Sequence, residues 1–367
     1  MEPYKAAVIG LGRMGSTFDD EIVQGGAFFL PYCHTPSYVA SPQTVLVAGA
    51  DPHDEQRAIY AERWGLTKDV YTDYRDMLKS EKPDIVSICT TARHRHQIMV
   101  DVARAGAKAI WLEKPISLSL EEADTMVSVC EELGVKVAVN TARRYNPYFA
   151  ETRRRIDAGE LGDILQVNVH GQCGLSHNGS HAIDALRYLA KGGNVEWVFG
   201  EMESDEAAAG ENDLMGNGYL AFDNGIRGFL RGMSCGVANW ETDVIGTEGR
   251  ARTIYSCADT EFTHLVDGGS RGRGVPVTGK IPLPARVEGM GITIIRDLIE
   301  SVEADRQPRA SIHDGRQALE IAIALRESHR GRGVRVNLPL ADRSLQILSA
   351  EIEHDEAPAR IRRMKTS

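Results

Sequence analysis

A chain of 367 residues exceeds what one hydrophobic core usually supports, so two domains are expected. Its 42% hydrophobic and 26% charged residues are those of an ordinary soluble globular protein and exclude a disordered or fibrous chain. A formal net charge of -10 argues against a nucleic-acid surface or an anionic membrane as the main partner, and no apolar stretch approaches the length of a membrane span.

The first 140 residues alternate strand-like and helix-like segments. Ala6 to Ile9 is a short apolar run, followed by Val45 to Ala50, Ile85 to Cys89, Ala107 to Leu112 and Val135 to Val139. Helical patterns such as Gln97 to Ala105 and Leu120 to Leu133 lie between the later runs. Short continuous apolar runs separated by amphipathic helices describe parallel strands covered on both faces. Residues 1–141 are therefore expected to form an α/β domain, a doubly wound parallel sheet of the Rossmann kind. Thr17 to Thr44, with the stretch AFFLPYCHTPSY, reads as a loop inserted near the site, whose Phe28, Phe29, Tyr32 and His34 either shape a pocket or simply pack.

The character changes after Tyr145-Asn146-Pro147. Residues 148–158 read as a helix, Ile164 to His170 as a strand, and Ser180 to Ala190 as a helix with Ile183, Leu186 and Ala190 on one face. Alternating strands joined by turn signals such as Asp223-Asn224-Gly225 fill 195–266. Residues 142–340 are thus expected to be an α+β domain with an open, mostly antiparallel sheet. Residues 268–284, rich in Gly, Pro and Arg, read as a loop. Helices return at about 290–305 and 314–329, and a charged tail, 341–367, closes the chain.

Gly10-Leu11-Gly12-Arg13-Met14-Gly15 directly follows the first strand. In that context the first glycine permits the tight turn, the second lets backbone approach a pyrophosphate, and the third lets helix and strand pack closely. Asp51, at the end of the next strand, fills the place of the acid that holds the adenosine ribose, although it stands well beyond the usual spacing of about 20 residues. The alternative to the ribose-binding reading of Asp51 is a helix N-cap or turn acid. Pro52 and His53 follow, with no arginine at the start of the turn for a 2′-phosphate, so NAD is favoured over NADP.

Ligands of open parallel sheets bind beyond the carboxyl ends of the strands. Lys114, in WLEKPIS, leaves the apolar run 109–112 at such an end, with Glu113 beside it to orient neighbours and Pro115 to shape the turn. Ser180 reads as the N-cap of the helix carrying His181, so the imidazole would lie in the first turn, where the helix dipole favours its neutral form. The six cysteines, 33, 89, 130, 173, 235 and 257, show no CxxC pair or zinc spacing, so free thiols in a reducing cytosol and no metal are expected. The N-terminus enters a strand almost at once, which is read as leaving no room for a signal peptide.

The motifs VIGLGRMG, TTARHRHQ, AGAKAIWLEKP, NTARRYNP, GELGDILQ, HNGSHAIDALRYL and GTEGR, in that order over about residues 5–338, resemble those of the Gfo/Idh/MocA oxidoreductases. The resemblance implies a pyridine nucleotide between a Rossmann domain and a C-terminal domain whose open sheet makes a homodimer or homotetramer. It implies Lys114 beside the nicotinamide and the reacting hydroxyl, and His181 as proton acceptor. Thr90, Thr91, His96, Glu113 and Asn140 would line the nicotinamide half of the cofactor, and Arg143, Arg144, Tyr145 and His177 would border the substrate. His177 stands where the family pattern D-x-G-x-H-x-x-D has its first aspartate, and an imidazole supplies no fixed negative charge there. The expected activity is NAD-dependent oxidation of a secondary hydroxyl of a sugar, glycoside or cyclitol in the cytoplasm. The alternatives are an NAD-retaining glycosidase or lyase with no net redox change, and a non-catalytic sugar- and nucleotide-binding regulator.

Overall fold

The computed structural model describes residues 2–22, 30–66, 68–238, 240–254, 259–268, 274–282 and 287–348. Phe28, Phe29, Cys257 and residues 349–367 of the tail lie outside the described residues.

The first half builds strands β1 (Tyr4–Ile9), β2 (Thr44–Ala50), β3 (Val70–Tyr71), β4 (Ile85–Ile88), β5 (Ala109–Leu112) and β6 (Lys136–Val139). The intervening helices are α1 (His34–Ala40), α2 (Asp54–Trp64), α3 (Tyr74–Glu81), α4 (Ala92–Arg104) and α5 (Leu120–Leu133). The strands form one sheet in the order β3-β2-β1-β4-β5-β6, with every pairing parallel. This is the doubly wound order whose direction reverses between β1 and β4, and a crevice for ligand opens at that reversal. Ala109 to Leu112 are all buried, which explains why β5 reads as an unbroken apolar run.

The expectation of a loop over Thr17–Thr44 is corrected here. A π-helical turn, Arg13–Thr17, and a 3-10 turn, Phe18–Glu21, follow the glycine loop, and α1 is the crossover that two adjacent parallel strands require. Its buried face is polar, which hid it from an apolar-period reading. Thr35 Oγ1 meets Tyr60 OH at 3.0 Å, Tyr38 OH meets Ser87 Oγ at 2.8 Å, and Ser37 Oγ donates to Cys33 O at 2.6 Å.

The second half continues with α6 (Pro147–Asp157), β7 (Ile164–His170), α7 (Gly179–Leu189), β8 (Val195–Met202), α8 (Asp205–Ala209), β9 (Gly216–Phe222) and β10 (Arg227–Arg231). It ends with β11 (Glu241–Gly246), β12 (Gly249–Ile254), β13 (Asp259–Val266), β14 (Val275–Lys280), α9 (Met290–Glu303), α10 (Ile312–Arg330) and β15 (Val336–Asn337). Nine strands form an open sheet, β14-β13-β12-β11-β7-β10-β9-β8-β15, antiparallel throughout except at β7 and β10. Part of the predicted 268–284 loop is instead the edge strand β14, paired with β13 from Glu261 opposite Lys280 to Val266 opposite Val275. All six of its residues are exposed, so no buried face left an alternation to read, and Pro276 is tolerated at an edge.

Helices α7 and α10 pack together and cover one face of this second sheet. Helix α9 returns to the first sheet, where Ile294, Ile295, Leu298 and Ile299 join Ala6, Val8, Tyr38 and Trp111 in one core. The α7 lead-in turn and the carboxyl ends of β4, β5 and β6 consequently face one cleft.

Candidate active site and nucleotide cleft

The glycine loop passes over the sheet at the strand-order reversal. Gly10 adopts a φ of +89°, and a Cβ there would stand 2.8 Å from Cys89 C and 2.9 Å from Thr90 N, at the end of β4. A Cβ at Gly15 would stand 2.1 Å from Gly10 O. Both positions therefore demand glycine for space, and Gly10 for its dihedral as well. Arg13 turns to Glu21, with Nε and Nη2 donating at 2.6 and 2.7 Å, and lies over the Phe18 ring. Met14 is half-buried between them in the chain.

Asp51 is buried and braces this loop. Its Oδ2 accepts the Leu11 N–H at 2.9 Å, and its Oδ1 accepts the His53 N–H at 3.0 Å and Nδ1 at 2.9 Å. Arg57, the nearby cation on α2, donates to Asp51 O and pairs with Asp54.

Across the loop, Thr90 Oγ1, His96 Nε2 and Asn140 Oδ1 are buried with no hydrogen-bond partner among the described residues. Buried polar groups are ordinarily satisfied, so orphans at the ends of β4 and β6 and on α4 suit a polar ligand. Thr91 occupies the N-cap position of α4 without spending its hydroxyl on the helix. With the cradle that a Cβ at Gly10 or Gly15 would fill, these residues fit a dinucleotide.

Glu113 sits at the end of β5 with its carboxylate buried. Asn140 Nδ2 donates to Oε1 at 2.5 Å, His34 Nε2 approaches Oε1 at 3.2 Å, and the Lys114 N–H donates to Oε2 at 3.3 Å. Burial opposes the charge, but the His34 hydrogen bond and the Lys114 and Arg95 charges outweigh it and bring Glu113 to about 2. Burial pushes the His34 pKa down, so its ring is neutral, donates from Nε2 and accepts the Ser87 hydroxyl at Nδ1, 2.8 Å away. The ring also packs against Trp111, tilted by 31°, at 3.8 Å between centroids. Arg95 joins the Thr90 and Lys114 loops by donating to Thr90 O and Pro115 O, and the Lys114-Pro115 peptide is cis.

Lys114 borders a small, mainly apolar cavity with Ser176 and Ser180 before and within α7 and Gly315, Ala318 and Leu319 of α10, and its charge acts on His177 and His181. His181 is buried, and its Nδ1 has no partner among the described residues. Burial, then the Arg143, Lys114 and His177 charges, hold its pKa well below the imidazole range. His177 is lowered to about 4 by burial and by Lys114 and Arg95. Arg143 stacks on Trp240 at 4.3 Å.

Four expectations need correction. Arg144 does not present its charge to the cleft: Nε and Nη2 hold Asp184 at 2.7–3.0 Å, and Nη2 also reaches Asp314 at 2.9 Å. Tyr145 is buried with its hydroxyl donated to Asp297 Oδ2 at 2.9 Å. Asp184, which the sequence offers either to steady His181 or to cap the helix, is instead the partner of Arg144. Ser180 is not the N-cap of α7; Asn178 holds that place, and Ser180 Oγ donates to His177 O at 2.7 Å. The buried carboxylates of α7, α9 and α10 claim the polar ends of NTARRYNP because an ionised acid without a partner costs several kcal/mol, on the order of 3–5.

Two side chains of the cleft carry no motif. Tyr32 lies where the Glu113 and Arg143 charges act on its hydroxyl, with its backbone N–H held by Asp19 at 3.1 Å. Asp213 accepts the N–H groups of Ser176 and His177. Asp213 has no local pattern, whereas Tyr32 belongs to the aromatic stretch of 17–44 that the sequence offered as pocket-shaping or merely packing. The five described cysteines are free thiols.

The family model described as an oxidoreductase family, NAD-binding Rossmann fold, matches residues 4–141, and that of the family's C-terminal alpha/beta domain matches residues 153–338. The chain belongs to the Gfo/Idh/MocA oxidoreductase family. It is an oxidoreductase whose first sheet is the family's NAD-binding domain. Among its relatives, the scyllo-inositol 2-dehydrogenase (NAD(+)) of Bacillus subtilis is 29% identical over 67% of this chain and 72% of that protein. The myo-inositol 2-dehydrogenase of Thermotoga maritima is 22% identical over 88% and 96%. Levoglucosan dehydrogenase, solved with NADH and levoglucosan, shares the fold with a TM-score of 0.73 at 21% identity, over 92% of this chain and all of that one. The aldose-aldose oxidoreductase of Caulobacter crescentus has the same TM-score at 19% identity, over 92% of this chain and 100% of its own. No helix among the described residues is long and apolar enough to cross a membrane.

Replacing Gly15 with alanine drives a methyl group into the Gly10 carbonyl and is expected to weaken NAD binding by about tenfold or more. Isothermal titration of the variant against the parent checks this; equal affinities would place the pyrophosphate elsewhere.

Proposed function

We propose that this oxidoreductase oxidises a secondary hydroxyl of a sugar, glycoside or cyclitol with NAD, or runs the reverse reduction. The observation that carries the reading is the meeting of Lys114, from the end of β5, with the turn that delivers His181. The Gly10–Gly15 loop, Asp51, Thr90, Thr91, His96, Glu113 and Asn140 would hold the nucleotide, and Arg57 is engaged with Asp51 and Asp54 rather than offered to a 2′-phosphate. Bound NAD supplies the hydride acceptor.

The chain's own groups manage the proton and the oxygen. Lys114 donates a hydrogen bond to the substrate oxygen and stabilises the negative charge that develops there. His181, kept neutral by burial and by the cations around it, accepts the hydroxyl proton. Glu113 keeps its charge buried against the Lys114 backbone and so fixes where that side chain leaves the sheet. Tyr32, Arg143 and His177 offer polar ends suited to the other hydroxyls of a polyol.

We also propose that the outer face of the second sheet joins copies into a homodimer or homotetramer. Trp197, Phe199, Tyr219 and Phe229 form a contiguous aromatic cluster there, and Phe199 and Phe229 are each 39% exposed.

Incubation with NAD across inositols, aldoses and glycosides is expected to yield NADH in step with substrate loss, whereas product without NADH would favour a lyase or glycosidase. Lys114→Ala is expected to lower kcat by about 100-fold or more while NAD affinity stays near that of the parent; unchanged turnover removes the lysine from the chemistry. Because the His181 pKa is depressed, the base stays neutral as pH falls through the ordinary imidazole range, and kcat/KM should show no acid limb there. An acid limb at or above the ordinary imidazole value would deny His181 the role. Light scattering should report a multiple of the chain mass, shifted toward monomer in Phe229→Asp; a monomeric parent excludes the proposed interface.

A further inference from the structure

Asp213 lies between α8 and β9, 36 residues beyond His177, yet its carboxylate is built into the turn that leads to α7. Oδ1 accepts the Ser176 N–H and Oδ2 the His177 N–H, both at 2.8 Å. The segment around it is laced to that turn. The Leu175 N–H donates to Leu214 O at 2.9 Å, Gly174 and Met215 form an antiparallel bridge, and the Asp213 N–H donates to Leu348 O at 2.9 Å. The approach is close enough that a Cβ at Gly174 would stand 2.6 Å from Asp213 Oδ2. Ser176, one of the two residues it holds, lines the cleft beside Lys114.

We propose that Asp213 is a positioning residue of the reaction centre, which clamps the turn carrying His177 toward His181 and supplies the counter-charge that keeps Lys114 an ammonium. The carboxylate missing from HNGSHAID at His177 is thus provided from a distant part of the chain. Burial raises the Asp213 pKa, while the two N–H groups and the Lys114 charge act in the opposite sense. Glu113 from the end of β5, Cys173 from the stretch after β7, and His177 and His181 from the turn and start of α7 are the other titratable groups within electrostatic reach of Lys114. Arg95 and Arg143 are the neighbouring cations. With Arg95 and Arg143 nearby, removing the Asp213 carboxylate is expected to ease deprotonation of Lys114.

The inference rests on Lys114 acting as the oxygen-polarising group, and its test does not require turnover. Full-length protein, without substrate, is labelled with a trace amine-acylating reagent from about pH 6 to about pH 11, and modification of the Lys114 peptide is followed by mass spectrometry. Asp213→Asn is expected to lower the labelling midpoint by about one pH unit, roughly tenfold more free amine at a given pH below it. The double variant H177D/D213N, which returns a carboxylate to the same turn, is expected to restore the midpoint. An unchanged midpoint in D213N, or a lowered one that H177D leaves unrestored, overturns the proposal. Should D213N fail to fold by circular dichroism, the double variant decides alone: a parental midpoint supports the role and a lowered one overturns it. A protein inactive on every polyol that nevertheless shows the shift loses the dehydrogenase reading and keeps this one.

Discussion

The buried carboxylate of Glu113 is the constraint around which the nucleotide side of the cleft is organised. A charge at the end of a fully buried strand persists only if donors surround it, and these come from three separate elements: His34 on α1, Asn140 after β6, and the Lys114 backbone. His34 is held in turn by Ser87 on β4, which also meets Tyr38. Satisfying one acid therefore fixes the crossover helix, the last strand's end and the origin of the lysine side chain relative to each other. A polar α1 is the consequence, because its inward face must finish this chain of hydrogen bonds.

A second buried network places the groups delivered from the other half. Arg144 joins Asp184 of α7 to Asp314 at the start of α10, and Arg187 of α7 adds a further bond to Asp314 at 2.9 Å. The helix bearing His181 is thereby tied to the 3-10 turn Ala142–Tyr145 that follows β6 and to α10. These ion pairs hold orientation rather than chemistry. Their presence within family motifs shows that charged residues near a site divide into those that face the ligand and those that aim the others.

Within the cleft, burial and like charge act in the same direction on the imidazoles. His177 and His181 lose the protonated form because water is excluded and because Lys114 lies close to both. The lysine gains in proportion as the histidines stay neutral, since a protonated ring beside it would repel its charge. Under the proposed function, one cation and one neutral acceptor are what removal of a proton from an alcohol oxygen requires.

The strands of the first sheet were legible because parallel strands covered on both faces are continuous apolar runs, and the glycine loop because backbone must come that close to β4. Lys114 follows a strand end and His181 lies in the first turn of a helix, as their local sequence indicated, while their roles belong to the proposed function. Helix α1 and strand β14 escaped for opposite reasons: one buries polar residues that satisfy each other, the other buries nothing. By itself the sequence determined the succession of units, the nucleotide loop and the residues available for chemistry, because those depend on local period and local backbone geometry. The tertiary structure alone decided which charge meets which. Arg144 finds Asp184 and Asp314, and Asp213 finds the N–H groups of Ser176 and His177, because the partner of a buried charge is chosen by distance in space, which no spacing along the chain records.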